Sequence, residues 1–455
     1  MGLRKDWLKR ELGTFDIYSL VHSDSQSTYY LLIGFIAFYA AENFFLVALY
    51  AIALMIIIAL IYGEMGSHFP ETGGSYIYVK YSLGSFIGFI STWLLALDQI
   101  IMVGYGTLDT AIYMSKALEY YNINITAYIP ENILAILFAT ALYILTLIGI
   151  RESATVASRI AMLDILAIGS ILLFNTAIII RDQQLYAFPK FSWSGISSLN
   201  ILYALALASR GFTGLDAIGQ LAGEAKKPLI QIPRATFLVI LIGALFSFLI
   251  SMVLMNRVSY TELYKDPAIA ILLIARETPL IQDLVVPLVT LDIILIMLMA
   301  SLTGYVSFSR LLYILSLDNL TYRGLSKIHK RFRTPYVSLT LSYLIAILLL
   351  SPGEITIIIE LYAIGSLINY LIVAISLAVL SRRRVLYGGF ITPRIKEIPI
   401  TVIIGVPMIG VALGFAFLEK YYALGIIGLW VFAGLIMYTI QTRIIGKSKP
   451  STTVS

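Results

Sequence analysis

The chain has 455 residues, 59% of them hydrophobic and 13% charged, with a mean hydropathy of +0.89. Soluble domains carry roughly 25% charged residues, so this composition excludes an ordinary soluble protein and points to an all-α integral membrane protein. The formal net charge is +6 and there is no cysteine, which removes disulfides, thiol chemistry and Cys-ligated metal sites.

From the N-terminus, Met1-Gly2-Leu3-Arg4-Lys5-Asp6 leads into no clean signal-peptide core, and Asp6 spoils a myristoylation motif. About twelve transmembrane helices follow, at roughly 16–40, 43–62, 85–110, 132–150, 156–180, 199–222, 235–256, 284–315, 336–351, 355–380, 398–418 and 421–441. The first contains seven consecutive polar residues, His22-Ser23-Asp24-Ser25-Gln26-Ser27-Thr28. One reading makes these a solvated entry, with the helix starting at Tyr29. A helix from Tyr29 to Tyr62 would be too long for one crossing, however, and would bury Glu42-Asn43 near its middle. The expectation is a first helix broken at Ser23–Thr28, a short turn at Glu42-Asn43 and a returning second helix.

The second span ends in Tyr62-Gly63-Glu64-Met65-Gly66-Ser67-His68-Phe69-Pro70-Glu71-Thr72-Gly73-Gly74-Ser75-Tyr76, where Pro and paired Gly impose an irregular loop. The third carries Asp98-Gln99 and the fifth Asp164. In the sixth, Ile201 to Ala222, the midpoint reads Ala208-Ser209-Arg210-Gly211-Phe212-Thr213-Gly214-Leu215-Asp216. A charged residue at mid-membrane costs ~2.5–3.5 kcal/mol on insertion scales and normally faces a bundle interior or a wet cavity. Glycines let the helix open, and a broken helix at the midplane is how secondary transporters hold a solute. The eighth span contains Asp292 and Ala300-Ser301-Leu302-Thr303-Gly304, and Pro352-Gly353 marks a tight turn before the tenth.

With the N-terminus cytoplasmic, the loops place 24 Lys and Arg inside and 7 outside, leaving Arg210 within the membrane. That bias orients the protein with both termini in the cytoplasm and explains the basic loops without nucleic acid. Polar interruptions five helices apart point to an inverted repeat of five plus five helices, about 16–180 and 199–380, with the solute between the halves. Helices 11 and 12, at 398–441, stand outside this core, and residues 1–15 and 442–455 form cytoplasmic ends.

The loop Tyr62-Gly63-Glu64-Met65 through Phe69-Pro70-Glu71-Thr72-Gly73-Gly74-Ser75-Tyr76 resembles one in amino acid–polyamine–organocation (APC) permeases. So do Gly211–Asp216 followed by Gly223-Glu224-Ala225-Lys226-Lys227-Pro228 and Ile232-Pro233-Arg234-Ala235, then Ser309-Arg310-Leu311-Leu312-Tyr313 and Thr334-Pro335-Tyr336. The resemblance covers nearly the whole chain in order. It implies the leucine-transporter fold, alternating access and amino acids or related amines as substrates. The chain departs from the family pattern where Ser25-Gln26-Ser27-Thr28-Tyr29 replaces a glycine-rich first-helix break, where Asp216 replaces a Glu, and at the charged Arg210.

The candidate substrate-binding residues are Asp24, Ser25, Gln26, Ser27, Arg210, Phe212, Thr213, Gly214 and Asp216. Arg210 either reaches a substrate carboxylate with its planar fork or pairs with Asp24, Asp98, Asp164 or Asp216. Asp24 either holds an amine or cation, or pairs Arg210 or caps a half-helix. By the resemblance, Asp164 occupies a fifth-helix position where proton-coupled members can carry a Lys in place of a sodium ion. It therefore stands as an ion-coupling residue, with Thr303 and the Ala300 carbonyl resembling the eighth-helix ligands of that site, or as a structural salt bridge to Arg159 or Arg210. Asp98 and Asp292 read as helix-interface groups, and His22 as a hydrogen-bonded histidine or a proton relay.

The function that results is a secondary active transporter in the cell membrane for a small-molecule substrate, an amino acid or amine. It would be coupled to H+ or Na+ or work by exchange, with no other cofactor. The alternatives are a transporter-fold sensor without flux and a polyamine or organic cation exchanger. With three histidines, no nucleophile elbow and no metalloprotease helix, an enzyme is not indicated. Membrane lipid is the expected surrounding; nothing in the sequence specifies an oligomeric state.

Overall fold

The computed structural model describes residues 8–119, 122–182, 199–265, 267–278, 282–352, 363–384, 386, 389–419 and 423–448. In chain order the helices are α1 (Thr14–Ala40), α2 (Phe44–His68), α3 (Ser75–Leu83), α4 (Ser85–Glu119), α5 (Glu131–Ile148) and α6 (Ile150–Arg181). Then come α7 (Leu199–Arg210), α8 (Ala217–Gln220), α9 (Pro228–Arg257), α10 (Tyr260–Lys265), α11 (Ala270–Arg276) and α12 (Gln282–Leu317). The last are α13 (Tyr336–Leu350), α14 (Ile364–Arg382), α15 (Ile400–Glu419) and α16 (Ala423–Ser448). A two-residue antiparallel pair, β1 (Arg394–Ile395) with β2 (Ile398–Pro399), precedes α15. Gly353 of the expected Pro352-Gly353 turn, and the start of the tenth span, lie outside the described residues.

Among the described residues nine helices are long and apolar enough to cross a membrane: α2, α4, α5, α6, α9, α12, α14, α15 and α16. The polar α1, the interrupted α7–α8 pair and the 15-residue α13 complete the twelve expected segments. Their outer faces carry exposed Leu166, Leu173, Leu288, Leu348, Leu429 and Phe432, the kind of surface that lipid covers.

At the centre is α1. Every residue from Ile17 to Gly34 is buried, on all faces of the helix, because α6, α7, α9 and α12 surround it. Asp16 fixes its start by accepting the Gly13 N–H at 2.8 Å, a first-turn carboxylate at the positive end of the helix dipole.

The expected break at Ser23–Thr28 does not exist: α1 is one continuous helix of 27 residues. Its hydroxyls explain why. Ser23 donates to the Ser19 carbonyl (2.8 Å), Ser25 to Val21 (2.9 Å), and Ser27 and Thr28 both to Asp24 (3.1 Å). Each of these four hydroxyls folds back onto the preceding turn and is satisfied there. With no Gly or Pro between His22 and Thr28, polarity alone does not open the helix. The expected turn at Glu42-Asn43 is present as a short 3-10 turn, Ala41–Asn43, between α1 and α2.

The loop after α2 is irregular as expected, with Gly73 and Gly74 at φ +104° and +33°. A Cβ on Gly74 would fall 2.7 Å from the Gly219 carbonyl carbon, so this loop presses on α8 from below and needs glycine to do so.

Candidate functional site

The sixth span is interrupted as expected. α7 stops at Arg210, residues 211–216 form successive tight turns, and α8 resumes at Ala217. The turns carry i to i+3 bonds, Thr213 N to Arg210 O at 3.1 Å and Ala217 N to Gly214 O at 3.0 Å. Gly214 has φ +92°, which a side-chain-bearing residue adopts only at a cost.

Against this break lies the carboxylate of Asp24 from α1. It is 1% exposed, and neither oxygen has a hydrogen-bond partner among the described residues. A buried carboxyl left without a donor is expensive, so its natural partner is something that arrives. Asp24 is near enough to Asp216 for the two to repel, and Asp216 stands in the same relation to Asp98. Three acidic side chains from α1, α4 and the break therefore surround one region.

Asp216 is well held. Tyr370 of α14 donates to Oδ1 at 2.9 Å, Gln99 of α4 to Oδ2 at 3.2 Å, and Gln220 also donates to Oδ2. The Tyr370 hydroxyl accepts the Gly214 N–H at 3.2 Å as well, so one phenol clamps two points of the break. Asp98 accepts the Ser366 N–H at 2.6 Å in the first turn of α14, where the helix dipole favours an anion. Phe212 stacks on Tyr29 at 4.8 Å between ring centroids, and Tyr29 is fixed by Ser251 at 3.0 Å and the Ser247 carbonyl at 3.3 Å.

Of the candidate substrate residues, the structure brings together Asp24, Phe212, Thr213, Gly214 and Asp216. Arg210 is buried in the last turn of α7, and Thr213 donates to its carbonyl at 3.2 Å. Ser25 and Ser27 turn their hydroxyls onto α1 itself. Gln26 points instead to α9, where a Cβ on Gly243 would sit 3.0 Å from its Nε2, and its amide has no partner among the described residues.

A second buried cluster joins α1, α6 and α12. Asp164 Oδ2 receives His22 Nε2 at 2.7 Å and the Tyr30 hydroxyl at 3.1 Å, and the carboxyl of Asp292, whose oxygens have no hydrogen-bond partner among the described residues, lies near enough to interact with it. Two buried carboxyls this near repel each other when both are charged. Among the described residues the hydrogen-bond partners of Asp164 are thus His22 and Tyr30, with Asp292 as its acidic neighbour, and neither Arg159 nor Arg210 is among them. His22 is itself stacked on Tyr18, at 5.0 Å between ring centroids. Thr303 lies on another level of α12. Eleven residues from Asp292, or about 16 Å along a helix, it donates to Leu20 O and Met299 O, both at 3.1 Å. Ala300 is buried on the same stretch of α12.

Nearer the end of the bundle that carries the N-terminal segment, Arg310 of α12 grips Glu224 with two bonds, Nε to Oε1 at 2.9 Å and Nη2 to Oε2 at 3.3 Å, both side chains 1% exposed. Leu12 pairs with the same stretch, donating to Glu224 O and accepting from Lys226 N, both at 3.0 Å. Tyr30, Tyr370, Gln99, Gln220 and this ion pair were not among the candidate residues. Tyr370 and Gln99 carry a faint sequence signal as polar groups inside apolar helices, whereas the Arg310–Glu224 partnership joins positions 86 residues apart and leaves none.

Among the described residues this is a helical membrane protein with an interrupted crossing over a buried acidic region. Residues 12–440 match the family described as Amino acid permease, and the chain belongs to it. It is 24% identical over 453 residues to a branched-chain amino acid permease of Bacillus subtilis, covering 96% of this chain and 94% of that one. It is also similar to mouse cationic amino acid transporter 4, at 26% identity with 82% of this chain and 60% of the relative covered. A low-affinity putrescine importer of Escherichia coli K12 is 24% identical over 66% of this chain and 65% of its own. The protein is a multi-pass membrane transporter for amino acids or amines, and not an enzyme.

Proposed function

We propose that the chain is a secondary active permease of the cell membrane whose solute carries an ammonium group held at Asp24. The observation that carries this is the buried Asp24 carboxyl, without a partner among the described residues, lying against the broken sixth span. Asp98 and Asp216 add negative potential to the same region, and an amine satisfies it at a single stroke. Two relatives, a cationic amino acid transporter and a putrescine importer, agree with that chemistry. The cytoplasm holds both termini, and the inverted repeats of 16–180 and 199–380 rock around α1 and the α7–α8 break.

Coupling is assigned to Asp164. A proton carried on the Asp164–Asp292 pair, beside His22, fits these residues better than a sodium ion shared with Thr303, since the Thr303 hydroxyl is committed to Leu20 O and Met299 O. The test is uptake into proteoliposomes with the twenty amino acids, putrescine and larger polyamines, in parallel with thermal shift of the purified protein. An amine that both stabilises the protein and accumulates under a proton gradient supports the reading. Binding without flux under any gradient would replace the carrier by a sensor, and stabilisation only by solutes without an amine would remove Asp24 from its role.

A further inference from the structure

Where the N-terminal segment, the α5–α6 junction and the α12–α13 connection meet, there is a cavity of about 340 Å3 lined by Lys9, Glu11, Gly149, Arg151, Glu152, Arg331, Phe332 and Arg333 among others. It lies at the opposite end of α12 from Asp292 and takes no part in the solute site. Four of its side chains are cationic and two are acidic. Lys9 and Glu11 largely cancel, at 3.5 Å. Glu152 bends back over the helix start, where a Cβ on Gly149 would fall 2.6 Å from its Oε2. Arg151, Arg331 and Arg333 remain, all exposed and none with an ion-pair partner among the described residues.

These arginines are not scattered on a loose loop. His329 Nδ1 accepts the N–H groups of Arg331 at 3.3 Å and Phe332 at 3.2 Å, and Arg333 N donates to His329 O at 2.9 Å. Thr334 then ties the turn to the end of α5, donating to Leu147 O at 3.1 Å. Arg333 holds φ +59° there, and the Arg331 guanidinium lies 5.4 Å over the Phe332 ring. The built turn thus brings two guanidinium groups to the polar hollow, and the first turn of α6 adds that of Arg151, against their mutual repulsion. A counter-anion relieves that repulsion, and the planar fork of Arg fits the oxygens of a phosphate group best. The start of α6 adds its positive dipole end to the same hollow.

We propose that this cavity binds a phosphate-bearing anion, either a lipid headgroup or a soluble phosphate. Bound there, the anion ties the N-terminal segment to the 149–152 and 331–333 stretches. Because Leu12 is already paired with 224–226, that tie holds this end of the bundle closed and slows its opening. The proposal does not depend on which solute the permease carries.

The test uses the full-length protein in detergent, titrated with inorganic pyrophosphate while melting is followed, and then reconstituted in phosphatidylcholine with or without phosphatidylglycerol. The wild type should be stabilised saturably by pyrophosphate beyond sodium chloride of equal ionic strength, or be stabilised and slowed in uptake by phosphatidylglycerol. The first arm identifies a soluble phosphate, the second a headgroup. Arg151→Gln with Arg331→Gln should weaken the effect by about tenfold or more, and Lys9→Gln, on a separate segment, should weaken it in the same direction. Their side chains are exposed, so the unliganded variants should melt no lower than wild type. No stabilisation in either arm, a salt effect of equal size, or an unchanged response in both variants would overturn the site.

Discussion

The carboxyl of Asp24 occupies the space in which a side chain at residue 214 would begin: a Cβ placed on Gly214 falls 2.2 Å from Asp24 Cγ. Helix α1 and the interrupted span therefore fit only because residue 214 is glycine, at φ +92°. Gly214→Ala should lose stability twice, by the positive-φ strain of roughly 1–2 kcal/mol and by displacing the Asp24 carboxyl. We expect a lower melting temperature together with uptake below a tenth of wild type. Wild-type values of both would mean that this contact is not needed.

Asp24→Asn separates charge from shape. The amide keeps the volume, so the fold should be retained, while the ammonium of the solute loses its counter-charge. Removing one partner of a buried charge pair costs ~2 kcal/mol or more, about thirtyfold in Kd. Isothermal titration with the best amine from the panel should show that loss. An unchanged Kd would move the amine to Asp98 or Asp216.

How much of this was legible beforehand differs residue by residue. Apolar runs of bilayer length and the basic loops made the twelve segments readable, and Gly211 and Gly214 marked the sixth-span break correctly, because glycine acts locally. The seven polar residues at 22–28 misled for the same local reason. Their hydroxyls have carbonyls to bind one turn back, as Ser23 and Ser25 do, so the run stays helical. Asp164 was read as an ion-coupling residue or a salt bridge to Arg159 or Arg210; the structure buries it, and its partners His22 and Tyr30 and its neighbour Asp292 come from two other helices. Tyr370 clamps the break from 154 residues beyond Asp216. Such pairings are set by packing, and a single sequence holds no trace of them.

Asp164→Asn should dissociate two activities. If the Asp164–Asp292 pair loads the coupling proton, the variant loses uptake driven by a proton gradient but keeps exchange of internal for external solute, which needs no net proton movement. Proteoliposomes preloaded with unlabelled solute measure the second activity directly. Full gradient-driven uptake in the variant would remove Asp164 from coupling. Thr303→Ala should leave the proton dependence intact, since the Thr303 hydroxyl binds Leu20 O and Met299 O rather than the carboxyl pair.

The Arg310–Glu224 pair is buried on both sides and bonded twice, so breaking one side strands the other charge. Arg310→Gln or Glu224→Gln alone should cost roughly 3–5 kcal/mol, whereas the double variant should cost clearly less than the sum, because neither charge is then left behind. Chemical denaturation of the four proteins in detergent closes the cycle. The pair joins α12 to the stretch just after α8, which also holds Leu12 of the N-terminal segment. Its loss should therefore loosen that end of the bundle specifically, and faster hydrogen exchange at 222–226 than at 98–108 in the single variants would register it. Additive costs in the cycle would show instead that the two residues stabilise the fold independently, and that the contact between them is not what keeps this end shut.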